Sequence, residues 1–260
     1  KTCSAAVQRA SCDSIAVTKA STWATKASAC VRAGRLVLAA GTLNTLRLLF
    51  ASVGAPDGLT PMPALGRGFS ANGDMMGVWR RESAPVSSFR SIPSQGEFLV
   101  AGHESAAYGV GGFPGFQTLP IPSAVKRRLE KLFFIYGLGA DSGDATVTCN
   151  GGRLHIAYDQ RTEPVYDEVR AAFRELAAET GDRTWAIGKP FTVHPAGGAR
   201  LGPDAMTGVV DHGGEVHGNP GLFVADGAAL PAALAAPPSV TIGAWAHYVA
   251  DGIAERAPIN

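Results

Sequence analysis

His194 stands in the run FTVHPAGGARLG. Imidazole titrates near neutrality, so a histidine fixed beside a substrate hydroxyl can accept or place its proton at working pH. Pro195 stiffens the chain after it, and Gly197 and Gly198 allow close backbone approach. The competing reading is a buried histidine that only satisfies hydrogen bonds. Asp211, His212, Glu215 and His217 are metal-ligand types, but Gly213-Gly214 reads as a hairpin tip and no metal is expected. The chain contains no GxSxG elbow and no HExxH pair, so hydrolase and zinc-peptidase chemistry lack support. The glycines of GVGGFPG at 109–115 have the wrong spacing for a dinucleotide fingerprint and lead into FQTLP, so this stretch reads as a loop.

The elements that must carry these residues follow from periodicity. Residues 1–33 are rich in Ser, Thr and Ala without a sustained period, which suggests strands or irregular structure. Arg35 to Ala39 reads as a short buried strand, Gly41 as a turn, and Leu43, Leu46, Leu49 and Phe50 as one helical face. Loops and short strands are expected from Pro56 to Ser94, at Glu97–Val100 and at Gly109–Gly112. The spacing predicts a helix from Pro122 through Leu138, with Val125, Leu129, Leu132 and Phe133 inward and Lys126, Arg127 and Arg128 on a solvated face. Asn150-Gly151-Gly152 predicts a hairpin between 146–149 and 154–158, and a helix follows Pro164 and stops at Gly181. The chain closes with a strand at Leu222–Val224 and a helix over 239–255, with Ser239 as its expected cap.

Hydrophobic side chains make up 46% of the 260 residues, enough for a substantial core. Charged residues are only 17% and the formal net charge is +1, which leaves no electrostatic footprint for nucleic acid or for an anionic membrane surface, and neither partner is expected. Apolar stretches fall short of the roughly 20 residues that span a bilayer, so a soluble chain without an integral membrane segment is expected, cytoplasmic or secreted. Cys3, Cys12, Cys30 and Cys149 have neither CxxC spacing nor the density of a disulfide scaffold.

Three ordered stretches carry a family likeness: VLAAGTLNTLRLL, then LGRGFSANGDMM, then FTVHPAGGARLG together with GLFVADGAALPAALAAPPSVTIGAWA. This set resembles the C-terminal blocks of the glucose-methanol-choline (GMC) oxidoreductases, on their cholesterol oxidase branch, across residues 31–257. The resemblance implies an α+β fold: an antiparallel-sheet substrate domain with helices over 76–193, plus strand-helix elements at 1–75 and 194–260 that complete an FAD-binding domain. It implies FAD as cofactor and His194 as the catalytic residue near the flavin and the substrate hydroxyl. Asp226 and Gly227 match the acidic-Gly pair on the ribityl side. Pro238 and Ser239 match the helix start against the flavin's pyrimidine ring, and Gly41, Asn72 and Gly73 complete the flavin neighbours.

Two departures bear on the chemistry. These residues hold no strand-GxGxxG-helix, so the resemblance implies a partner chain carrying the N-terminal FAD-binding half. Pro237 occupies the place of the branch's asparagine, and a proline cannot serve as the histidine's hydrogen-bonding partner, so that partner is expected to be lost. The branch's isomerising glutamate falls near Val100, with Glu97 and Glu104 close by. The expected function is flavin-dependent oxidation of an alcohol on a small, bulky hydrophobic, steroid-like substrate. The alternative is a flavin-free isomerase, cyclase or binding protein that reuses the same pocket.

Overall fold

An antiparallel meander opens the chain, in which β1 (Ser4–Ser11), β2 (Ser14–Ala20) and β3 (Ala29–Ala33) pair in sequence order. The structure, a computed structural model, describes residues 4–11, 14–20, 29–53, 58–82, 87–92, 96–98, 100–103, 106–188 and 191–256. β4 (Leu36–Leu38) leads through Gly41, at φ 79°, into α1 (Thr42–Ser52). Leu46 and Leu49 of α1 are fully buried, whereas Leu43, expected on the same face, is 37% exposed. β5 (Arg67–Ser70), β6 (Met75–Arg80), β7 (Gly96–Phe98) and β8 (Ala106–Gly111) follow from the Gly- and Pro-rich region. Gly109 to Gly111, read from sequence as a loop, therefore end a strand. A Cβ at Gly109 would strike the Tyr136 ring at 2.1 Å, so the strand needs a glycine there.

The helix expected from Pro122 to Leu138 is shorter than its apolar spacing suggested. α2 covers Ser123–Leu129, and β9 takes Leu132–Gly139. Phe133 and Ile135 are buried on one side while Phe134 and Tyr136 are only partly covered, a period of two that aromatic and β-branched residues favour. β10 (Ala145–Asn150) and β11 (Arg153–Ala157) form the expected hairpin, with Asn150 opposite Arg153 across Gly151-Gly152. α3 (Pro164–Thr180) starts on proline and stops at the left-handed Gly181, as the sequence predicts. β12 (Arg183–Ala186), β13 (Ala196–Gly197), β14 (Leu222–Val224) and α4 (Ser239–Glu255) complete the order. Ser239 is the first helical residue of α4 and makes no cap, because Pro238 occupies the capping position.

Two cores result. β14 is buried at all three positions and pairs in parallel with β4, Leu222 opposite Leu36. A strand apolar throughout is what a parallel pairing covered on both faces requires. Leu46, Leu49, Phe69, Val147 and Val209 pack around this pair. The second core lies between α3 and the sheet β12-β6-β9-β8-β7. Val165, Val169 and Phe173 of α3 face Gly139, Gly137 and Gly77, where an added Cβ would lie 2.1, 2.5 and 2.7 Å from those side chains. The glycines let the helix lie close to the sheet, and each large apolar side chain buried there contributes about 1.5–3 kcal/mol. The opposite face of the same sheet, carrying Met76, Phe134 and Tyr136, is left to wall a cavity.

A Cβ added at Gly77 would lie within 2.8 Å of both the Trp185 backbone oxygen and the Phe173 ring, whereas one at Gly96 would have nothing within 4 Å. Gly77→Ala should therefore lower stability by about 1–3 kcal/mol, and Gly96→Ala should be close to neutral. Urea unfolding midpoints of the two variants check this.

Candidate active site

The site is built on the turn between β5 and β6. Asp141, buried, accepts from Ser70 Oγ at 2.7 Å, Ala71 N at 2.8 Å and Tyr158 Oη at 3.1 Å, and so fixes the start of the turn. Asn72 adopts the left-handed conformation at φ 55°. Its Oδ1 accepts from Leu234 N at 2.9 Å and its Nδ2 donates to Ala236 O at 3.0 Å, tying the turn to the segment before α4. Asp74 then enters β6 with 4% exposure. Its Oδ2 accepts from Thr192 Oγ1 at 2.9 Å and Val193 N at 3.1 Å and lies 2.9 Å from His194 Nδ1. A carboxylate only accepts, so Nδ1 carries the proton and Nε2 is left to act on whatever occupies the space beside it.

That space is a cavity of about 370 Å3 lined by Met75, Met76, Phe134, Tyr136, Val193 and His194, with Pro237 at its edge. Its volume falls in the lower part of the range of small-molecule sites, about 300–1,000 Å3. A second cavity of about 420 Å3 lies across the 192–195 segment, lined by Leu43, Phe69, Tyr158, Thr192 and Pro195. Tyr158 and Tyr166 share a hydrogen bond of 2.7 Å beside it. Burial, above all, raises both phenols, Tyr166 to about 12; Tyr158 is also raised by its bond to Tyr166 and by the Asp141 charge.

The sequence-derived candidates separate into two groups. His194 lines the cavity, Pro237 reaches its edge, and Pro238 and Ser239 continue from there into α4. Asn72 braces the same corner from beneath. Asp226 lies elsewhere and is already committed: it is 5% exposed, and its carboxylate accepts from Gly41 N at 3.0 Å, Ala228 N at 2.9 Å and Thr45 Oγ1. Gly41 thus spends its N–H within the chain. A Cβ at Gly227 would meet Thr42 Oγ1 at 2.6 Å, and one at Gly73 would meet Gly139 O at 2.2 Å, so packing alone requires both glycines.

Sequence reasoning missed Asp74. It lies inside LGRGFSANGDMM, but 120 residues separate it from its partner. The expectation that His194 loses its hydrogen-bonding partner through Pro237 is therefore corrected, because Asp74, the residue before β6, supplies one. Val100 is buried at 3% in the α3 core and Glu97 is exposed on β7, while Glu104 lies outside the described residues. Asp211 closes its own turn through Gly213 N and Glu215 N, Glu215 holds Gly221 N and Arg256, and His217 contacts Gly202 O. No group of three or more metal-capable side chains occurs among the described residues.

Residues 152–246 match the GMC oxidoreductase C-terminal family. A cholesterol oxidase of Mycobacterium tuberculosis is 46% identical over 89 residues, which are 34% of this chain and 15% of that protein. The pyridoxine 4-oxidase structure from Mesorbium loti superposes with a TM-score of 0.61 at 19% identity, covering 94% of this chain and 55% of its own. An FAD-dependent oxidoreductase from Chaetomium thermophilum gives 0.62 at 16% identity, covering 95% and 60%. The chain thus has an α+β fold shared with these solved structures and is similar to the GMC oxidoreductases over residues 152–246, and it spans little more than half the length of the solved structures it matches and 15% of that cholesterol oxidase.

Two outcomes follow from this geometry. Asp226→Ala takes the acceptor away from three donors, two of them buried, and should cost about 3 kcal/mol or more, read by chemical denaturation. For Tyr166, the unfolded phenol ionises near pH 10 and the folded one near 12. Between those values the unfolded chain holds fewer protons, so stability should fall as pH rises from about 10 to about 12. Tyr158→Phe with Tyr166→Phe should flatten that slope in melts taken across the window.

Proposed function

We propose that this chain forms the substrate-binding and catalytic part of an FAD-dependent alcohol oxidoreductase acting on a bulky hydrophobic, steroid-like substrate. The observation that carries the reading is the Asp74–His194 pair at the wall of a largely apolar cavity. In this reading residues 76–193 bind substrate, 1–75 and 194–260 belong to the FAD-binding domain, and its dinucleotide-binding half comes from a partner chain or from sequence outside these 260 residues. The relatives are named as oxidases or oxidoreductases, which favours this over the redox-neutral alternative.

The residues present fit one end of FAD. α4 has no side-chain cap and no acidic residue in its first turn, and it begins two residues after Pro237 at the cavity edge. Its first amides and positive dipole end suit the pyrimidine carbonyls of an isoalloxazine. Three protein donors already occupy the Asp226 carboxylate, which leaves it about one further acceptor site, on Oδ1, for a ribityl hydroxyl. Bound FAD supplies the hydride acceptor for the carbinol carbon. His194 Nε2 takes the hydroxyl proton, and Asp74 holds the Nδ1–H and balances the imidazolium charge that results. Thr192 and Val193 fix Asp74 by spending their donors on the same oxygen. The apolar wall excludes water and receives the hydrocarbon body of the substrate.

The protein purified with whatever chain accompanies it should be yellow, release FAD on denaturation, and lose its colour on anaerobic addition of a hydrophobic alcohol. A preparation that stays colourless with FAD and a dinucleotide-binding half overturns the reading. His194→Ala should lower kcat by about 10²–10⁴-fold with KM little changed. Asp74→Asn should lower kcat by less, also with KM retained, which separates positioning of the base from substrate binding.

A further inference from the structure

Two rings wall the cavity beside His194, and each stands between unequal neighbours. In the sheet register Tyr136 of β9 lies opposite Met76 on β6 and Gly109 on β8, and Phe134 lies opposite Val78 and Gly111. Directly opposed residues share one face of a sheet, so each ring has a bulky side chain on one side and bare backbone on the other. Tyr136 takes the bare side. A Cβ placed on Gly109 would lie 2.1 Å from the ring's Cζ, 2.2 Å from Oη and 2.6 Å from Cε2. Such closeness to all three atoms is met over the face of a phenol and not beyond its edge. The ring therefore lies flat on Gly109, which is buried.

The other face of Tyr136 is turned to the cavity. The Phe134 ring follows at 6.1 Å between centroids and 29° between planes, so the two rings give this wall of the 370 Å3 space a nearly continuous aromatic surface. Gly109 and Gly111 belong to the GVGGFPG stretch whose spacing does not suit a dinucleotide, and here they have another use. The φ of Gly109 is not positive, so its backbone would accept an alanine, whereas the Tyr136 ring in its present place would not. With a larger residue at 109 the ring must rise. Met76 stands on its far side, which leaves the cavity as the space it moves into.

We infer that the cavity selects slab-shaped, fused-ring alcohols over globular ones of similar size, and that Gly109 sets this selectivity by letting Tyr136 lie flat. A fused-ring slab can rest against both ring faces at once, whereas a cage of the same carbon count meets them over a smaller area. This deepens the function proposed above by giving the shape of its substrate, and it rests on that reading only for the approach of the hydroxyl to His194.

The test is equilibrium dialysis of the protein, with whatever chain accompanies it, against 2-naphthalenemethanol and 1-adamantanemethanol, rigid primary alcohols of equal carbon count. The flat alcohol should bind tighter by about 2–10-fold, the worth of an aromatic contact beyond its buried area. Tyr136→Ala should erase that lead. Gly109→Ala should weaken binding of the flat alcohol by about tenfold, as overpacking does. Gly96→Ala, with nothing within 4 Å of the added carbon, should leave it unchanged. In the Tyr136→Ala background, adding Gly109→Ala should alter affinity by less than about twofold, because no ring remains to be lifted. Thermal melts follow the fold of each variant; should Gly109→Ala alone not fold, the double variant should fold and bind as Tyr136→Ala does. No binding of either alcohol, equal affinity for the two, an indifferent Gly109→Ala, or the same loss with the Tyr136 ring already removed overturns the inference. So does a double variant that fails to fold where Tyr136→Ala folds. Binding is read without FAD or turnover. A colourless protein with these preferences therefore defeats the proposed function alone, and a yellow, active one without them defeats this inference alone.

Discussion

The Asp226 carboxylate organises the molecule around itself. A buried charge is tolerated only when its acceptor positions are filled, and here donors come from two separate strand-turn units. Gly41 N and Thr45 Oγ1 belong to the turn and first helical turn after β4, and Ala228 N belongs to the turn after β14. One side chain thus fixes the carboxyl ends of both parallel strands relative to each other. From there the constraint passes on, because Thr42 Oγ1 donates to Pro195 O at 2.7 Å, next to His194. The histidine is held from its chain neighbour by this path and from its ring by Asp74.

Much of the fold was legible because its signals are local. Gly41 after an apolar tripeptide, Gly-Gly in the 150s hairpin and Pro164 ahead of a 3.6-residue repeat each act within a few residues. The error at β9 has the opposite origin. Val125, Leu129, Leu132 and Phe133 match a helical stripe, yet the last two belong to a strand whose alternation becomes decisive only when α3 packs on one face. Ser239 misled for a similar reason: it has the chemistry of a cap, but Pro238 takes that position and Ser239 enters the helix.

The candidate site was legible in residue type and illegible in pairing. His194 carried its own signal through HPAGG. Asp226 looked like a ligand-facing carboxylate, since sequence displays an acid and not the donors that surround it. Asp74 gave no sign of its importance, because it meets His194 only after the turn before β6 and the segment before β13 are brought together. Asn72, expected from sequence as a flavin neighbour, spends its amide on the backbone of Leu234 and Ala236. The pattern is general: motifs locate turns, and long-range hydrogen bonds decide which of their polar groups remain available to a ligand.

α4 has 17 residues and one fully buried side chain, Val249, with Trp245 anchored through its Nε1 to Val224 O. Val240 is 82% exposed and Tyr248 54%, and the helix includes Gly243 and Gly252. Helices in proteins draw most of their stability from packing rather than from propensity. The amino-terminal turn of α4 is therefore weakly held by this chain alone, although its amides are the group best placed to meet a ligand at the cavity edge. Recognition there and completion of the helix share one free-energy balance: a molecule that engages the first turn also sets how much of α4 exists.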